Sequence, residues 1–100
     1  MIIRGTTPTM IFGLPFKAEL LATAYVTVQQ NDTTIFEKQL SDCTCDDELL
    51  SVKLTQEDTL SLSSDSKAKI RLVVKTLGGD RLESFPVIES VEDTSKEGVI

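Results

Sequence analysis

Leu20-Leu21-Ala22-Thr23-Ala24-Tyr25-Val26-Thr27-Val28-Gln29 is the segment that settles the structural class of this 100-residue chain. Its alternation assigns Ala22, Ala24, Val26 and Val28 to one face and Thr23, Tyr25, Thr27 and Gln29 to the other. A period of two belongs to a half-buried β-strand, because successive side chains point to opposite sides of a sheet. Threonine and valine suit that pleated surface.

The same period recurs on both sides. Asn31-Asp32 supplies turn chemistry, and residues 34–40 return as the next strand. Leu50, Val52 and Leu54 alternate with Ser51 and Lys53, and Ala68, Ile70, Leu72 and Val74 alternate with Lys69, Arg71, Val73 and Lys75. Upstream, residues 9–14 form a short apolar stretch closed by Gly13 and Pro15. With residues 2–6 and 82–91 this gives about seven short strands, the number expected of an all-β two-sheet sandwich. Thr55-Gln56-Glu57-Asp58 resembles a capping box, and Ser61-Leu62-Ser63-Ser64 follows at once, so one short helical turn is expected near 55–59. Residues 1–92 read as a single domain and 93–100 as a polar C-terminal tail ending in Val99-Ile100.

The last hairpin permits a register. A three-residue Gly78-Gly79-Asp80 loop with a bulge pairs Val74 with Ser84 and Ile70 with Ile88, and sets Lys75 against Glu83 and Lys69 against Glu89. Pro86 cannot donate to a ladder, so its strand should lie at an edge or carry a bulge there. By the same reasoning residues 4–9 form a bulged, proline-interrupted first strand that can switch sheets at Gly5 or Pro8.

Composition narrows the functional classes. The net charge of −6 disfavours nucleic acid or an anionic membrane as partner. No apolar run reaches the ~18 residues of a membrane span, and no basic-then-apolar leader opens the chain, so no signal peptide is expected. Histidine is absent, which removes the commonest general base and metal ligand. No catalytic, cofactor or metal residues are assigned. Cys43-Thr44-Cys45 makes at most half of a zinc site and is read as two free loop thiols, and Asp42, Asp46, Asp47 and Glu48 around it as an acidic, solvated loop. Lys67, Lys69, Arg71 and Lys75 line one strand face and are read as structural, neutralised by Glu83 and Glu89. Leu54–Leu60 resembles the turn before the penultimate strand of immunoglobulin variable domains. Ser61, Leu62 and Ser63 then stand where Tyr and Cys would be expected, so it is read as a shared turn solution.

Arg4-Gly5-Thr6-Thr7-Pro8-Thr9 followed by an apolar strand resembles the start of small virion proteins of tailed bacteriophages and prophages of Gram-positive bacteria, and the opening of the N-terminal domain of phage baseplate upper proteins. The resemblance continues through Ala24–Gln30, Glu37-Lys38, Leu54-Thr55-Gln56-Glu57-Asp58-Thr59-Leu60 and Gly98-Val99-Ile100. It implies an immunoglobulin-like β-sandwich and a non-enzymatic virion structural protein, a tail or baseplate component without cofactor. Its expected partners are other virion proteins and itself, as a homo-oligomer, with Val99 and Ile100 buried against a neighbour. The alternatives are a module that binds a host-surface glycan, for which Tyr25 is the one aromatic on a polar face, and a head–tail connection or accessory protein.

Overall fold

The computed structural model describes residues 1–100 and is an all-β sandwich. Its strands are β1 (Ile2–Ile3), β2 (Thr9–Gly13), β3 (Leu21–Gln30), β4 (Thr33–Gln39), β5 (Cys43–Asp46) and β6 (Leu49–Lys53), followed after the helical turn α1 (Gln56–Leu60) by β7 (Ala68–Thr76), β8 (Arg81–Glu83), β9 (Val87–Glu89) and β10 (Val91–Glu92). Short 3-10 turns precede β3 (Ala18–Leu20) and β5 (Leu40–Asp42). One sheet has the order β2-β6-β5 and the other β4-β3-β7-β8, with β9 also on β7, while β1 runs parallel to β10. These orders correspond to the B-E-D and C′-C-F-G sheets of an immunoglobulin-type sandwich.

The core lies between the sheets. Ala24, Val26 and Val28 of β3 and Ala68, Ile70, Leu72 and Val74 of β7 face Leu50 and Val52 of β6, all of them buried. The expected inward face of β3 holds from Ala24 onward. Ala22 is instead exposed, because the β3–β7 register shifts between Leu21 and Thr23 and turns it outward. Asn31 and Asp32 both adopt positive φ, 51° and 63°, which gives the two-residue turn whose twist matches the paired strands.

Further expectations need correction. The acidic loop is not a loop throughout: Cys43–Asp46 is strand β5, pairing Cys43 with Val52 and Cys45 with Leu50. The β7–β8 loop has three residues, but they are Leu77-Gly78-Gly79. Thr76 N donates to Asp80 O at 2.9 Å and Gly79 N to Thr76 O at 3.0 Å. A loop of this kind ends on a left-handed residue. Gly79 occupies that position at φ +92°, where Asp80 would have been strained.

The register moves accordingly. Val74 lies opposite Leu82 and Lys75 opposite Arg81, not Ser84 and Glu83. Ile70 lies opposite Val87 and Lys69 opposite Ile88, not Ile88 and Glu89. The change of one between the two ladders falls at Ser84-Phe85-Pro86, the bulge that Pro86 demanded. Residues 4–9 do not form the expected bulged strand: residues 4–8 lie outside any strand, and the chain passes from β1 on β10 to β2 on β6 through a turn with Gly5 at φ +83°.

Candidate functional site

Residues 4–6, 56–62 and 93–100 meet at one end of the sandwich. Thr55 caps α1: its Oγ1 accepts from Asp58 N at 3.1 Å, and its own N–H donates to Asp58 Oδ2 at 2.8 Å. The helix is thereby held with Thr59 fully buried. Thr59 Oγ1 accepts the Gly5 N–H at 2.9 Å and donates to Thr6 O at 2.8 Å. Arg4 donates from Nε to Leu62 O at 2.8 Å and from Nη2 to Leu60 O at 3.0 Å, satisfying carbonyls that the end of a helix leaves free. Its Nη1 reaches Asp93 and Glu97, each at 2.6 Å.

The tail folds back over this unit. Gln56 Nε2 donates to Ile100 O at 3.0 Å and Gln56 Oε1 accepts from Ile100 N at 2.8 Å, a side-chain amide pairing with main chain as a neighbouring strand would. Val99 and Ile100 nevertheless remain exposed.

Electrostatics tighten the same region. On Asp58 burial acts upward, but Lys38 Nζ at 2.6 Å and the Thr55 donors outweigh it and hold the carboxyl below the usual range. Asp93 is likewise lowered by its hydrogen bond from Arg4, and the Arg4 guanidinium is raised by Glu97 and Asp93.

The cysteines are free thiols. Burial, then Cys45 and Asp42, push the Cys43 thiol up, and its Sγ donates to Gln39 O at 3.3 Å. A raised thiol is the protonated, unreactive form at neutral pH.

The cationic face of β7 is only partly neutralised. Arg71 pairs with Glu83 at 3.7 Å, and its buried Nε has no partner. The expected Lys75–Glu83 and Lys69–Glu89 pairs are not made: Lys75 faces Arg81, and Glu89 binds the N-terminal amine of Met1. Tyr25, 38% exposed, lies with Thr23, Lys75 and Arg81 around a depression of about 210 Å³.

A cleft of about 290 Å³ is walled by Met10, Ile11 and Phe12 of β2 and by Met1, Ile70 and Val87. Met1, Ile11 and Val87 on its lining are exposed, Ile11 at 64%. Phe12, Phe16 and Phe36 are partly buried against the core, whereas Phe85, in the β8–β9 bulge beside Pro86, is 93% exposed. The sequence reading passed over Gln30, buried at the end of β3, which holds residues 63–66 through Ser63 O, Ser66 O and Ser63 N, each at 2.8 Å. Comparison with protein-family models, with curated proteins and with solved structures finds no match to this chain.

Proposed function

We propose that this chain is a non-enzymatic structural protein of a phage or prophage virion, a tail or baseplate component that works through protein–protein contacts. The family part of this reading rests on the resemblance of residues 4–9, 54–60 and 98–100. The contact part rests on one observation: Ile11, Met1 and Val87, all exposed, gather around an apolar cleft at a sheet edge. Grouped exposed apolar residues of this kind mark contact surfaces more than scattered ones do. In the test, tail particles released by a lysogen of the chain's own host are banded by density and their proteins identified by mass. The chain should band with the particles. Abundance in the lysate together with absence from the particles would overturn the virion reading.

A second reading has its own observation. Tyr25 offers a ring beside the facing cations Lys75 and Arg81, which suits a glycan carrying an anionic group. Saturable binding on a glycan array, lost in Tyr25→Ala, would favour it over pure assembly.

A further inference from the structure

Strand β2 is the end strand of its sheet and pairs only with β6. In an antiparallel ladder alternate residues turn their N–H and C=O toward the partner. Leu54 N donates to Pro8 O and Leu14 N to Glu48 O, so the even-numbered residues Pro8, Met10, Phe12 and Leu14 face β6. Thr9, Ile11 and Gly13 therefore turn their N–H and C=O groups to the free side. No strand of the chain pairs on that side, and Thr9, Ile11 and Gly13 are exposed.

Edge strands in soluble proteins are normally guarded by charge, proline or a bulge. The other edges follow that pattern: β4 carries Glu37 and Lys38, β5 carries Asp46, and β8 and β9 carry Arg81, Glu83 and Glu89. β2 has none of these, and no charged residue occurs between Arg4 and Lys17. In a chain of net charge −6 this is the rim along which two copies meet with least repulsion. It also lacks a carboxylate or cation that would select a charged partner.

The free groups are symmetric about Ile11. We propose that β2 pairs antiparallel with β2 of a second copy about a two-fold axis through Ile11, joining two β2-β6-β5 sheets into one continuous sheet. Ile11 then faces Ile11 of the second copy, and Thr9 faces its Gly13, each pair exchanging both main-chain hydrogen bonds. The ladder stops where it should, because Pro15 has no N–H to offer beyond Gly13. Ile11 side chains meet on the outer face, and a C2 contact of this kind is self-complementary by construction. A ladder this short buries less than the ~800 Å² per partner of a standard interface, so its dissociation constant is expected to be micromolar or weaker.

The inference rests on the assembly reading and names one partner within it. The test is sedimentation of the full chain from low micromolar to about millimolar concentration, with Ile11→Lys and Thr9→Lys as variants. Both side chains are already exposed, so both variants should fold, as circular dichroism would confirm. A monomer–dimer equilibrium in the parent chain is expected, weakened at least about tenfold by Ile11→Lys, which sets like charges opposite each other at the axis, and less by Thr9→Lys, whose lysine faces Gly13. A parent chain that stays monomeric throughout, or a dimer unchanged by both lysines, overturns the pairing. A β2 edge that binds only a different protein gives the first of those results and leaves virion incorporation, measured separately, unaffected.

Discussion

Thr59 and Gly5 are joined through a single buried hydroxyl, which accepts the Gly5 N–H at 2.9 Å while donating to the carbonyl of Thr6 at 2.8 Å. One side chain on α1 thus satisfies two main-chain groups of the segment that carries the chain from one sheet to the other. Arg4 on one side and Gln56 on the other extend the connection to the tail. The segments 4–6, 56–62 and 93–100 form one interlocked cap.

Replacing Thr59 by Val keeps the volume and removes the hydroxyl. Gly5 N–H and Thr6 C=O then lose the partner that the fully buried Thr59 supplied. The cost should be about 1–3 kcal/mol, read as a lower urea midpoint. Thr59→Ser keeps the oxygen and should cost less than Val does. A Val variant as stable as the parent would show that the hydroxyl contributes nothing.

Gln30 anchors the loop before β7 in a comparable way. It is 5% exposed and makes three hydrogen bonds to Ser63 and Ser66 main chain. Gln30→Leu should destabilise by about 1–3 kcal/mol and speed amide exchange at Ser63. Gln30→Glu should be worse at pH 8 than at pH 5, because only the protonated carboxyl can still donate to one of the two serine carbonyls. Equal stability of the Glu variant at both pH values would exclude this role.

Asp58 gives the chain an acid-sensitive element. Its carboxyl is lowered from an ordinary value of 3.8, so its contribution is complete above that value and is lost as pH falls through the lower folded value. Denaturation followed from neutral pH to about pH 2.5 should show a shallower acid limb in Asp58→Asn than in the parent. Lys38→Met should flatten the same limb, since Lys38 is the paired cation at 2.6 Å. The neutral-pH stability of Asp58→Asn should also fall by about 1 kcal/mol with the capping box weakened. An unchanged acid limb in both variants would separate Asp58 from acid unfolding.

The sheets were legible because alternation is local. Val26, Val28, Ile70 and Leu72 fall where a two-residue period puts them, and Asn31-Asp32 turns where its chemistry allows. What the period cannot carry is an offset. The β3 bulge at Leu21–Thr23 changes the face of Ala22 through pairing with Thr76 and Lys75, residues more than fifty positions away. β5 escaped notice because its pattern, Cys-Thr-Cys-Asp, is short and acidic at its margins, and its strand state comes from β6 alongside it. The cap was invisible for a similar reason: Arg4 and Gln56 find their partners only after folding brings residues 4, 56, 62 and 100 together.

The β7–β8 turn offers the sharpest local test of the observed register. Charge pairing favoured a loop of Gly78-Gly79-Asp80, with opposite charges facing across the hairpin, worth roughly 0.2–1 kcal/mol a pair. The loop observed places Lys75 opposite Arg81 instead, which costs a similar amount. Backbone conformation prevails, because it puts a glycine in the left-handed position, with Asp80 N bonded to Thr76 Oγ1 at 3.1 Å. The two glycines are therefore unequal. At Gly79, φ +92°, a side chain is strained even though the surrounding space is open, and Gly79→Ala should cost about 1 kcal/mol. Gly78 has no positive φ, and an added Cβ would meet only Thr76 Oγ1 at 3.8 Å, an ordinary contact, so Gly78→Ala should stay within about 0.5 kcal/mol of the parent. The charge-paired register makes a different forecast: its left-handed position falls on Asp80, so Asp80→Gly would stabilise and Gly79→Ala would be tolerated. Urea midpoints for Gly78→Ala, Gly79→Ala and Asp80→Gly distinguish the two registers by the order of their effects.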